Sequence, residues 1–470
     1  MDLVRVDKPA GLPLQGEGGA EGFAEYVSRQ HGLPPRSLVP LHPLADGVSG
    51  AVVLAPAGAA PRVAGARYQY QVLAAAEPPP DLGPPAAAWR RAAAPAGPTG
   101  ALWELETEMP LRGAGTGPVA GTAAPAPVVH LAAVTLGLED GSTVDHPSPP
   151  PALLGRPDLW ARPRLAAWLQ ALDRRQRLFA PAPSAALRLL HTEGGPVRCD
   201  RYGPVCWFYW YGEPPGGAEL DDVAVFAGLA GAAAWTIHLM QDRGADPQAR
   251  RRWEADLPAA WEAVEHGLRY ALRADRGLSP GLFLDQRQNR RWVLEHAAGR
   301  RVLNLFAYTG GFGLCAARGG AAEVVNVDVG RGALDWARRN FSANGLDDGR
   351  VEYAAVEARL FLRGCRRRGR TFDLVVCDPP VFGRSREGVW QLERNLDELV
   401  SAAAAVLAPG GHLLVSTGYE QWDADRLAHV VRRALPAGRA FASVPLPPPD
   451  WDFELPGEAP LLKAVLVQCG

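Results

Sequence analysis

The second half of the sequence alternates regularly between strand-like and helix-like segments, and this alternation restricts the fold more than any other feature. From Arg300 onward, five apolar runs are each followed by a helical pattern, and a sixth run closes the series: RVLNLF, EVVNVDV, VEYAAV, FDLVVC, GHLLVST and AVLVQ. Strands that alternate with helices form parallel sheets with helices on both faces. We therefore predict a doubly wound, Rossmann-like α/β sheet with an antiparallel last strand, whose ligand lies at the carboxyl ends of the strands.

The chain of 470 residues is too long for a single ordinary domain. Short strands and turns predict a mostly β domain at residues 1–76, and the Pro/Ala/Gly-rich residues 77–150 indicate a domain remainder and a linker. Residues 151–285 read as an α+β region ahead of a catalytic domain at 286–470. Within the α+β region, two stretches predict helices: PQARRRWEAD from Pro247 and PAAWEAVEHGLRYALRAD from Pro258.

Composition and charge exclude several classes of protein. A net charge of -2 argues against a surface coated in positive charge, so any nucleic-acid contact has to be local. The six cysteines form no CxxC pair, which supports neither a zinc site nor a disulfide framework and suits a reducing cytoplasm. The longest apolar run, 223–240, reads as a buried helix that leads into a strand instead of a membrane span. Since the start MDLVRVDKPAGLP also lacks the apolar core of a signal peptide, we expect a cytoplasmic protein without a metal.

Acidic residues follow three of the predicted strands. The first strand leads into the turn NLFAYTGGFG, where Gly310 and Gly313 let the backbone come close to a ligand at a helix start. The next strands are followed by Asp328, by Glu357 and by Asp378-Pro379-Pro380. An acid after the second strand can accept both hydroxyls of a ribose, as in dinucleotide enzymes. Those enzymes do not explain Asp-Pro-Pro, whose rigid carbonyls can hold a planar base or amide.

The combination favours S-adenosylmethionine over a dinucleotide or a chance placement of three acids. In this interpretation the carboxylate of the cofactor meets the helix start, its ribose meets Asp328 and its adenine edge meets Glu357.

Seven stretches of the sequence carry a resemblance to a known family. They are CDRYG (199–203), GLFLDQRQNR (281–290), LNLFAYTG (303–310), LDWARRNFSANGL (334–346), FDLVVCDPPVFGRS (372–385), LAPGGHLLVS (407–416) and LPGEAPLLKAVLV (455–467). On these stretches, residues 185–470 resemble the bacterial large-subunit 23S ribosomal RNA methyltransferases I and K, and the DQRxNR segment separates that family from other class I methyltransferases. The resemblance implies a class I methyltransferase fold, S-adenosylmethionine as cofactor and ribosomal RNA as partner.

The resemblance also implies roles for individual residues. Asp378, with Pro379 and Pro380, would be catalytic and would line the methionine and target end of the site. Asp328 would bind the ribose, and Glu357 would stand beside adenine where the family usually has an aspartate. The other cofactor-binding residues that it implies are Arg287, Arg290, Phe306, Tyr308, Gly310 and Gly313, and the substrate-binding residues are Phe382, Arg384 and Arg386.

The residues around the site bear on which atom is methylated. Methylation of cytosine C5 needs a cysteine thiolate that attacks C6, and proteins resembling methyltransferase I carry it just after the fifth strand. Ser416, Thr417 and Gly418 stand there, and Cys377 lies inside an apolar strand, where core packing explains it. A guanine ring nitrogen needs only alignment with the methyl group.

The loop after Asp-Pro-Pro, DPPVFGRSREGVWQLERN, resembles that of methyltransferase K, which makes 7-methylguanine. Methyltransferase K has paired asparagines where this chain has Thr417-Gly418. A guanine nitrogen is therefore favoured over cytosine C5, and the target base stays open.

RNA contact requires local positive charge. From Arg359 to Arg370, both ends included, there are six arginines and no acid, which fits either an RNA surface or a solvated helix face. Arg384 and Arg386 are better placed because they follow Asp-Pro-Pro directly. The leading hypothesis is an S-adenosylmethionine-dependent RNA methyltransferase. The alternatives are a small-molecule methyltransferase on the same scaffold and a non-catalytic RNA-binding protein.

The first segment resembles a different family, the RluA-type pseudouridine synthases. The resemblance lies in VDKPAGLP (6–13), LHPLADGVSG (41–50) and ARYQYQV (66–72). At the position of the catalytic aspartate stands Ala45, and Pro43 replaces the arginine before it. The resemblance therefore implies a degenerate synthase-like domain without isomerase activity, either an RNA-docking module or a relic that packs on the rest of the chain.

Overall fold

The computed structural model describes residues 3–10, 12–16, 21–46, 48–74, 90–91, 101–108, 110–111, 128–151, 154, 156–160, 162–179, 181–242, 252–275, 277–385, 388–453 and 461–470. The chain divides into two compact units. The first comprises Met1–Ala182, Arg188–Cys199 and Phe208–Trp235, and the second comprises Pro183–Leu187, Asp200–Trp207 and Thr236–Gly470.

The first unit contains an eight-stranded sheet. Its strands are β1 (Val4–Lys8), β2 (Leu38–Pro40), β3 (Val48–Pro56), β4 (Val63–Ala74), β5 (Arg90–Arg91), β6 (Ala101–Thr107), β7 (Val128–Leu138) and β8 (Thr143–Pro147). They run in the order β1-β3-β7-β4-β6-β5, with β2 on β3 and β8 on β7. The unit also has the helices α1 (Phe23–Gln30), α2 (Pro157–Trp160) and α3 (Pro163–Phe179). The apolar strand β3 forms its centre, since residues 48–55 are all buried.

This sheet extends across the boundary predicted at residue 76. Strand β7 pairs with β3 on one side and with β4 on the other, and β8 returns along it. The region from Val128 to Pro147 is therefore part of the domain that contains this sheet and is not a linker. Two strand-like runs interrupt this stretch rich in proline, alanine and glycine, and they correspond to strands of the sheet: ALWELETE to β6 and PVVHLAAVTL to β7.

A five-stranded sheet follows in sequence, with the order β13-β12-β11-β10-β9. Its strands are β9 (Ala186–Leu190), β10 (Val197–Tyr202), β11 (Val205–Trp210), β12 (Ala234–Leu239) and β13 (Arg252–Ala255). Helix α4 (Gly217–Leu229) and β12 together account for the apolar run 223–240, as predicted. No helix within the described ranges is long and apolar enough to cross a membrane.

The prediction of two helices, from Pro247 and from Pro258, is wrong: the described residues of both stretches form strands. Arg252–Ala255 forms β13, and a hairpin of β14 (Ala260–Glu265) and β15 (Leu268–Arg273) replaces the second helix. His266 and Gly267 have φ angles of 52° and 72°, the left-handed pair that a two-residue hairpin turn requires. Burial then alternates along β15, which shows that tertiary packing overrides the helix-forming composition.

The second unit contains the predicted doubly wound sheet. Its strands are β16 (Arg301–Leu305), β17 (Glu323–Asp328), β18 (Val351–Ala355), β19 (Phe372–Cys377), β22 (Leu407–Thr417), β23 (Phe441–Val444) and β24 (Lys463–Cys469), while β20 (Phe382–Ser385) and β21 (Gly388–Gln391) form a separate hairpin. The order is β18-β17-β16-β19-β22-β24-β23. The first five strands are parallel, and β24 is antiparallel to β22, as predicted.

The helices of this unit are α5 (Arg287–His296), α6 (Gly311–Arg318), α7 (Arg331–Ala343), α8 (Ala358–Arg368), α9 (Leu392–Ala404) and α10 (Ala424–Ala434). Apolar side chains of β16, β19, β22 and α9 form its core. The direction of strand succession reverses between β16 and β19, and in open α/β sheets a ligand crevice forms at that reversal. All three predicted acids lie at or just beyond strand ends on this edge.

Candidate active site

The turn after β16 brings its backbone close to the next strand and helix. Gly310 has a φ of 79°, and the non-glycine residues Phe306 and Tyr308 also have positive φ angles of 56° and 49°. Such angles are unfavourable for bulky side chains and concentrate at functional sites. A Cβ atom at Gly310 would lie 2.9 Å from that of Ala337 in α7, so only glycine allows this approach.

Gly313, which was predicted to approach the cofactor, has a packing contact as well. It lies in the first turn of α6, and a Cβ atom there would collide with the amide oxygen of Asn326 on β17. The absence of a side chain lets α6 approach the sheet closely.

Asp328 ends β17 and is held in a fixed orientation by the backbone. Its Oδ2 accepts a hydrogen bond of 2.9 Å from the Tyr308 amide, and its Oδ1 accepts one of 2.8 Å from the Gly330 amide. Charged acceptors form strong hydrogen bonds. The carboxylate is therefore preorganised beside the turn, as a ribose-binding acid would need to be.

A cleft lies next to Asp328. Apolar side chains dominate its walls, and acidic groups lie at two of its sides, a composition typical of small-molecule sites. The lining comprises Phe306, Val327, Asp328, Val329, Val356, Glu357, Ala358, Arg359, Pro380, Gly383, Gly388 and Trp390. The structure thus brings together Phe306, Asp328, Glu357 and Pro380 of the predicted site.

Glu357 lies at the start of α8 with both carboxylate oxygens engaged. Its Oε2 accepts from the Leu360 amide at 2.9 Å, which caps the helix, and its Oε1 accepts from Arg359 Nε at 2.8 Å. Glu357 has a longer side chain than the aspartate that methyltransferases I and K usually have at this place. Its carboxylate caps α8. Glu357 therefore lines the cleft with a carboxylate that two hydrogen bonds hold in place.

Trp390 was missed by the sequence reasoning although it forms one wall of the cleft. Its indole Nε1 donates to the Pro380 carbonyl at 2.6 Å, and its ring lies 5.4 Å from that of Phe306. The side chain is almost fully buried. Trp390 thus joins the Asp-Pro-Pro segment to the turn after β16, a contact between residues 84 positions apart (390 − 306) that no local pattern reveals.

Asp378 follows β19 and belongs to a chain of hydrogen bonds. Ser416 Oγ donates to its Oδ1 at 2.8 Å, Gln286 Nε2 donates to Ser416 Oγ at 2.9 Å, and Asn289 Nδ2 donates to Gln286 Oε1 at 2.7 Å. Burial raises the pKa of Asp378 to about 7, against the opposing effect of the hydrogen bond from Ser416. Gln286 and Ser416 were not singled out from the sequence as site residues.

The two arginines predicted to flank the cofactor are engaged in buried ion pairs. Arg290 forms a bidentate pair with Glu265, at 2.6 and 2.9 Å, and Arg287 lies 2.9 Å from Asp452. Burial disfavours their charged forms, but the neighbouring carboxylates outweigh it and raise the pKa of both guanidinium groups. Arg290 also lies beside Gly311 at the start of α6. A direct contact of either arginine with a cofactor stays a prediction.

Two of the predicted substrate residues, Phe382 and Arg384, lie on the β20–β21 hairpin that follows Asp-Pro-Pro. Phe382 is 52% exposed, as expected for a residue that meets a substrate. Arg384 is paired in register with Val389 across the hairpin. Arg386 lies outside the described residues.

Cysteine chemistry has no support near the site. All six cysteines are buried. Burial raises the pKa of Cys377 far above its usual value, and the charge of Asp378 adds to this effect. Ser416 and Thr417, at the end of the fifth parallel strand, are buried as well. Within the described ranges, no cluster of His, Cys, Asp and Glu could hold a metal ion.

The arginine-rich segment of α8 is only partly available for RNA. Arg359 and Arg370 each pair with two glutamates. Arg366, Arg367 and Arg368 are exposed in the last turn of α8, where positive charge also stabilises the helix end.

Comparison with known proteins gives the fold and the site a family context. A model of the family described as S-adenosylmethionine-dependent methyltransferase matches residues 219–467, more than half of the chain. Among solved structures, one described as a methyltransferase complexed with SAH aligns with a TM-score of 0.57 at 22% identity, covering 65% of this chain and 80% of that chain. One described as an S-adenosylmethionine-dependent methyltransferase from Streptococcus mutans aligns with a TM-score of 0.56 at 22% identity, covering the same shares of 65% and 80%. These likenesses confirm the predicted class I fold.

Curated relatives cover less of the chain. The ribosomal RNA large subunit methyltransferase I of Shewanella amazonensis is 40% identical over 186 residues, which are 39% of this chain and 47% of the relative. The ribosomal RNA large subunit methyltransferase K of Neisseria meningitidis is 40% identical over 166 residues, which are 35% of this chain and 47% of the relative. The chain thus spans about half the length of these two relatives.

Proposed function

This chain belongs to the S-adenosylmethionine-dependent methyltransferase family, and from that premise we propose that it methylates a guanine nitrogen of large-subunit ribosomal RNA. The observation that carries the proposal is the grouping of Asp328, the apolar cleft and Asp378-Pro379-Pro380 at one edge of the sheet. Two curated relatives, a methyltransferase I and a methyltransferase K of large-subunit ribosomal RNA, support RNA as the substrate class.

The residues around the cleft suit the cofactor of this family. S-adenosylmethionine supplies an electrophilic methyl group and carries no phosphate. Asp328, fixed by two amide donors, would accept the ribose hydroxyls, and the apolar walls at Phe306 and Trp390 would hold the flat adenine. Amide groups at the start of α6, reached through Tyr308, Gly310 and Gly313, would meet the amino-acid carboxylate. Glu357 would border the adenine edge.

Asp378 is the group we propose to face the reacting atoms. It lies at the end of β19, and Pro379 and Pro380 stiffen the backbone that follows it. A carboxylate at this place can accept a hydrogen bond from an N–H group of the base and so align a ring nitrogen with the methyl group. Phe382, Arg384 and Arg386, which follow Asp-Pro-Pro in the sequence, would receive the RNA next to it.

The chemistry of the described residues favours nitrogen over cytosine C5. A C5 transfer needs a thiolate that adds to C6, and the thiol of Cys377 lies in the core with a raised pKa. Ser416 is one of the three residues that stand where methyltransferase I carries its cysteine; it is fully buried and donates a hydrogen bond to Asp378. A guanine nitrogen already owns the lone pair that attacks the methyl group. The resemblance of the loop to methyltransferase K favours N7.

Methyl transfer to purified large-subunit RNA tests this proposal. The enzyme, labelled cofactor and ribosomal RNA from a strain that lacks the corresponding gene should give 7-methylguanine on mass analysis of nucleosides. The variant Asp328→Ala, which removes the ribose acceptor, should give about tenfold to a hundredfold less product at a subsaturating cofactor concentration. Label in 5-methylcytosine would refute the choice of atom, and the absence of transfer to any RNA would refute the substrate class.

A small-molecule substrate on the same scaffold is the second candidate. The net charge of -2 and the pairing of Arg359 and Arg370 with glutamates favour it, because both reduce the positive potential near the site. Counterion release makes RNA affinity fall steeply with salt. Binding of RNA that weakens between low and physiological salt supports the RNA substrate, and binding that is absent at low salt supports the small molecule.

For residues 1–76 we propose a degenerate synthase-like domain without isomerase activity. Ala45 offers no carboxylate at the expected position, and the side chain of neighbouring Asp46 is exposed. The ammonium group of Lys8 is buried and donates to the carbonyls of Pro9, Asp46 and Val48, so it holds the loop together. The isolated protein should form no pseudouridine in ribosomal RNA. Cytoplasmic location is a further expectation of the sequence and stays a prediction.

A further inference from the structure

The hydrogen-bond chain behind Asp378 has a fixed direction. Asn289 Nδ2 donates to Gln286 Oε1, which turns the amide nitrogen of Gln286 toward Ser416. Ser416 Oγ accepts from this nitrogen, so the single hydroxyl proton is available to Asp378 Oδ1, 2.8 Å away. Each donor in the chain therefore determines the orientation of the next one.

The three donors are too deeply buried to meet a substrate. Ser416 is 0% exposed, Gln286 is 3% exposed and Asn289 is 5% exposed. They come from two distant parts of the sequence, the DQRQNR segment and the end of β22. Any effect on the reaction has to pass through Asp378.

We infer that Gln286 and Ser416 are positioning residues that hold Asp378 in one orientation and in its charged form, with Oδ1 engaged and the rest of the carboxylate directed to the reacting atoms. This inference rests on the proposed function, because it takes Asp378 as the group that meets the substrate. It adds the reason why serine stands at the end of the fifth parallel strand. Its hydroxyl proton is committed to a carboxylate, so it is no substitute nucleophile.

Of the other charged groups around Asp378, some raise its pKa and others lower it. Asp285, in the turn before α5, raises its pKa through like charge, and Arg290 from α5 lowers it. Arg290 is itself largely neutralised by the bidentate contact with Glu265. Cys377, the neighbour on β19, is an uncharged thiol at neutral pH because burial raises its pKa. Among the contributions that lower the pKa of Asp378 and so oppose burial, the hydrogen bond from Ser416 is the largest.

The test is a pH titration of the Asp378 carboxyl group itself. Infrared difference spectra between the full chain and its Asp378→Asn variant isolate this group. Its midpoint should lie near pH 7. In Ser416→Ala it should rise by about one pH unit, because a hydrogen bond to a charged acceptor changes the equilibrium by about tenfold or more. Ser416→Thr keeps the hydroxyl and should restore the lower midpoint.

Thr417→Ala is the matched control. Thr417 is the next residue of β22, it points to the opposite face, and its hydroxyl accepts from the Tyr419 amide. This variant should leave the midpoint unchanged. An unchanged midpoint in Ser416→Ala would overturn the inference. If Ser416→Ala fails to fold, Gln286→Leu gives the same test, because the Gln286 side chain donates to Ser416 and also lowers the pKa of Asp378 through a hydrogen bond.

The acid limb of the methyl-transfer profile should move with the midpoint. A purely structural role of Ser416 would lower activity equally at every pH. If the unaltered enzyme transfers no methyl group to ribosomal RNA, the proposed function fails, while the infrared midpoints still decide whether Ser416 controls the charge of Asp378.

Discussion

The amide of Tyr308 donates a 2.9 Å hydrogen bond to Asp328 Oδ2 and thereby joins the turn after β16 to the end of β17. Tyr308 has a positive φ of 49°, an angle that is unfavourable for a tyrosine. The carboxylate of Asp328 offsets this cost, and the bond in turn directs the carboxylate to the cleft. The geometry of the turn and the orientation of the carboxylate are therefore coupled at this pair.

Replacement of Asp328 by alanine should weaken the binding of S-adenosylhomocysteine by about tenfold to a hundredfold, since a hydrogen bond to a charged group contributes about 1.5–3 kcal/mol. Isothermal calorimetry measures this directly. Asp335→Ala removes the same charge from an exposed position of α7 and should bind normally. Equal affinities in the two variants would contradict the site.

Trp390→Ala should reduce both stability and cofactor binding. Truncation of a buried aromatic costs about 3–5 kcal/mol, and the cleft loses the wall that packs on Phe306. Trp390→Phe keeps a ring but cannot donate to the Pro380 carbonyl, so it should lose only about 1 kcal/mol. Denaturant unfolding and calorimetry of both variants check the ranking, and unchanged cofactor affinity in Trp390→Ala would exclude it as a wall of the site.

Glu265→Gln should lower the free energy of unfolding by about 3–5 kcal/mol, because it leaves the buried guanidinium of Arg290 without its counter-charge. Glu262→Gln, on the same strand β14 but with a half-exposed side chain, is the control and should change stability by less than about 0.5 kcal/mol. Urea denaturation at neutral pH compares the two. Similar stabilities would mean that the ion pair contributes little.

Glu265 should also make the stability of the folded protein depend on pH. Burial favours the neutral form of Glu265, but Arg290 and Arg287 outweigh it, so its pKa in the folded protein lies below the usual glutamate value. A lowered pKa stabilises the fold above the pKa of the unfolded chain, and this stability is lost as pH falls through the folded value. The difference between the unaltered protein and Glu265→Gln should therefore shrink in acid, as followed by denaturation at several pH values. A constant difference would contradict the assignment.

No covalent adduct should form with RNA that contains 5-fluorocytosine. Enzymes that methylate C5 through a thiolate are trapped by this base, whereas transfer to a guanine nitrogen leaves no protein–RNA bond. Denaturing gel electrophoresis after incubation with cofactor shows the outcome. A band of protein-linked RNA would mean that one of the buried cysteines becomes exposed and reacts.

The sequence was sufficient to predict the doubly wound sheet and the strand ends that carry Asp328, Glu357 and Asp378. Both depend on local patterns, apolar runs of strand length and the acids that follow them. The hairpin β14–β15 was mistaken for a helix, because its composition favours helices and only the turn at His266-Gly267 indicates otherwise.

The remaining site features depend on contacts between distant residues. Ser416 lies 130 positions from Gln286, with which it forms a hydrogen bond. Arg287 pairs with Asp452, 165 positions away. Neither contact leaves a local pattern in a single sequence, so arginines expected at the cofactor proved to be held in ion pairs. Likewise, the position of strand β7 in the sheet, between β3 and β4, follows from pairing with distant segments and not from its own sequence.

Nucleoside mass analysis of large-subunit ribosomal RNA after reaction with the purified protein and labelled S-adenosylmethionine tests the central claim most directly. The label should appear in 7-methylguanine, and Asp328→Ala should reduce it about tenfold to a hundredfold at a subsaturating cofactor concentration. Label in 5-methylcytosine, or no label in RNA while a small molecule is methylated, would contradict the account.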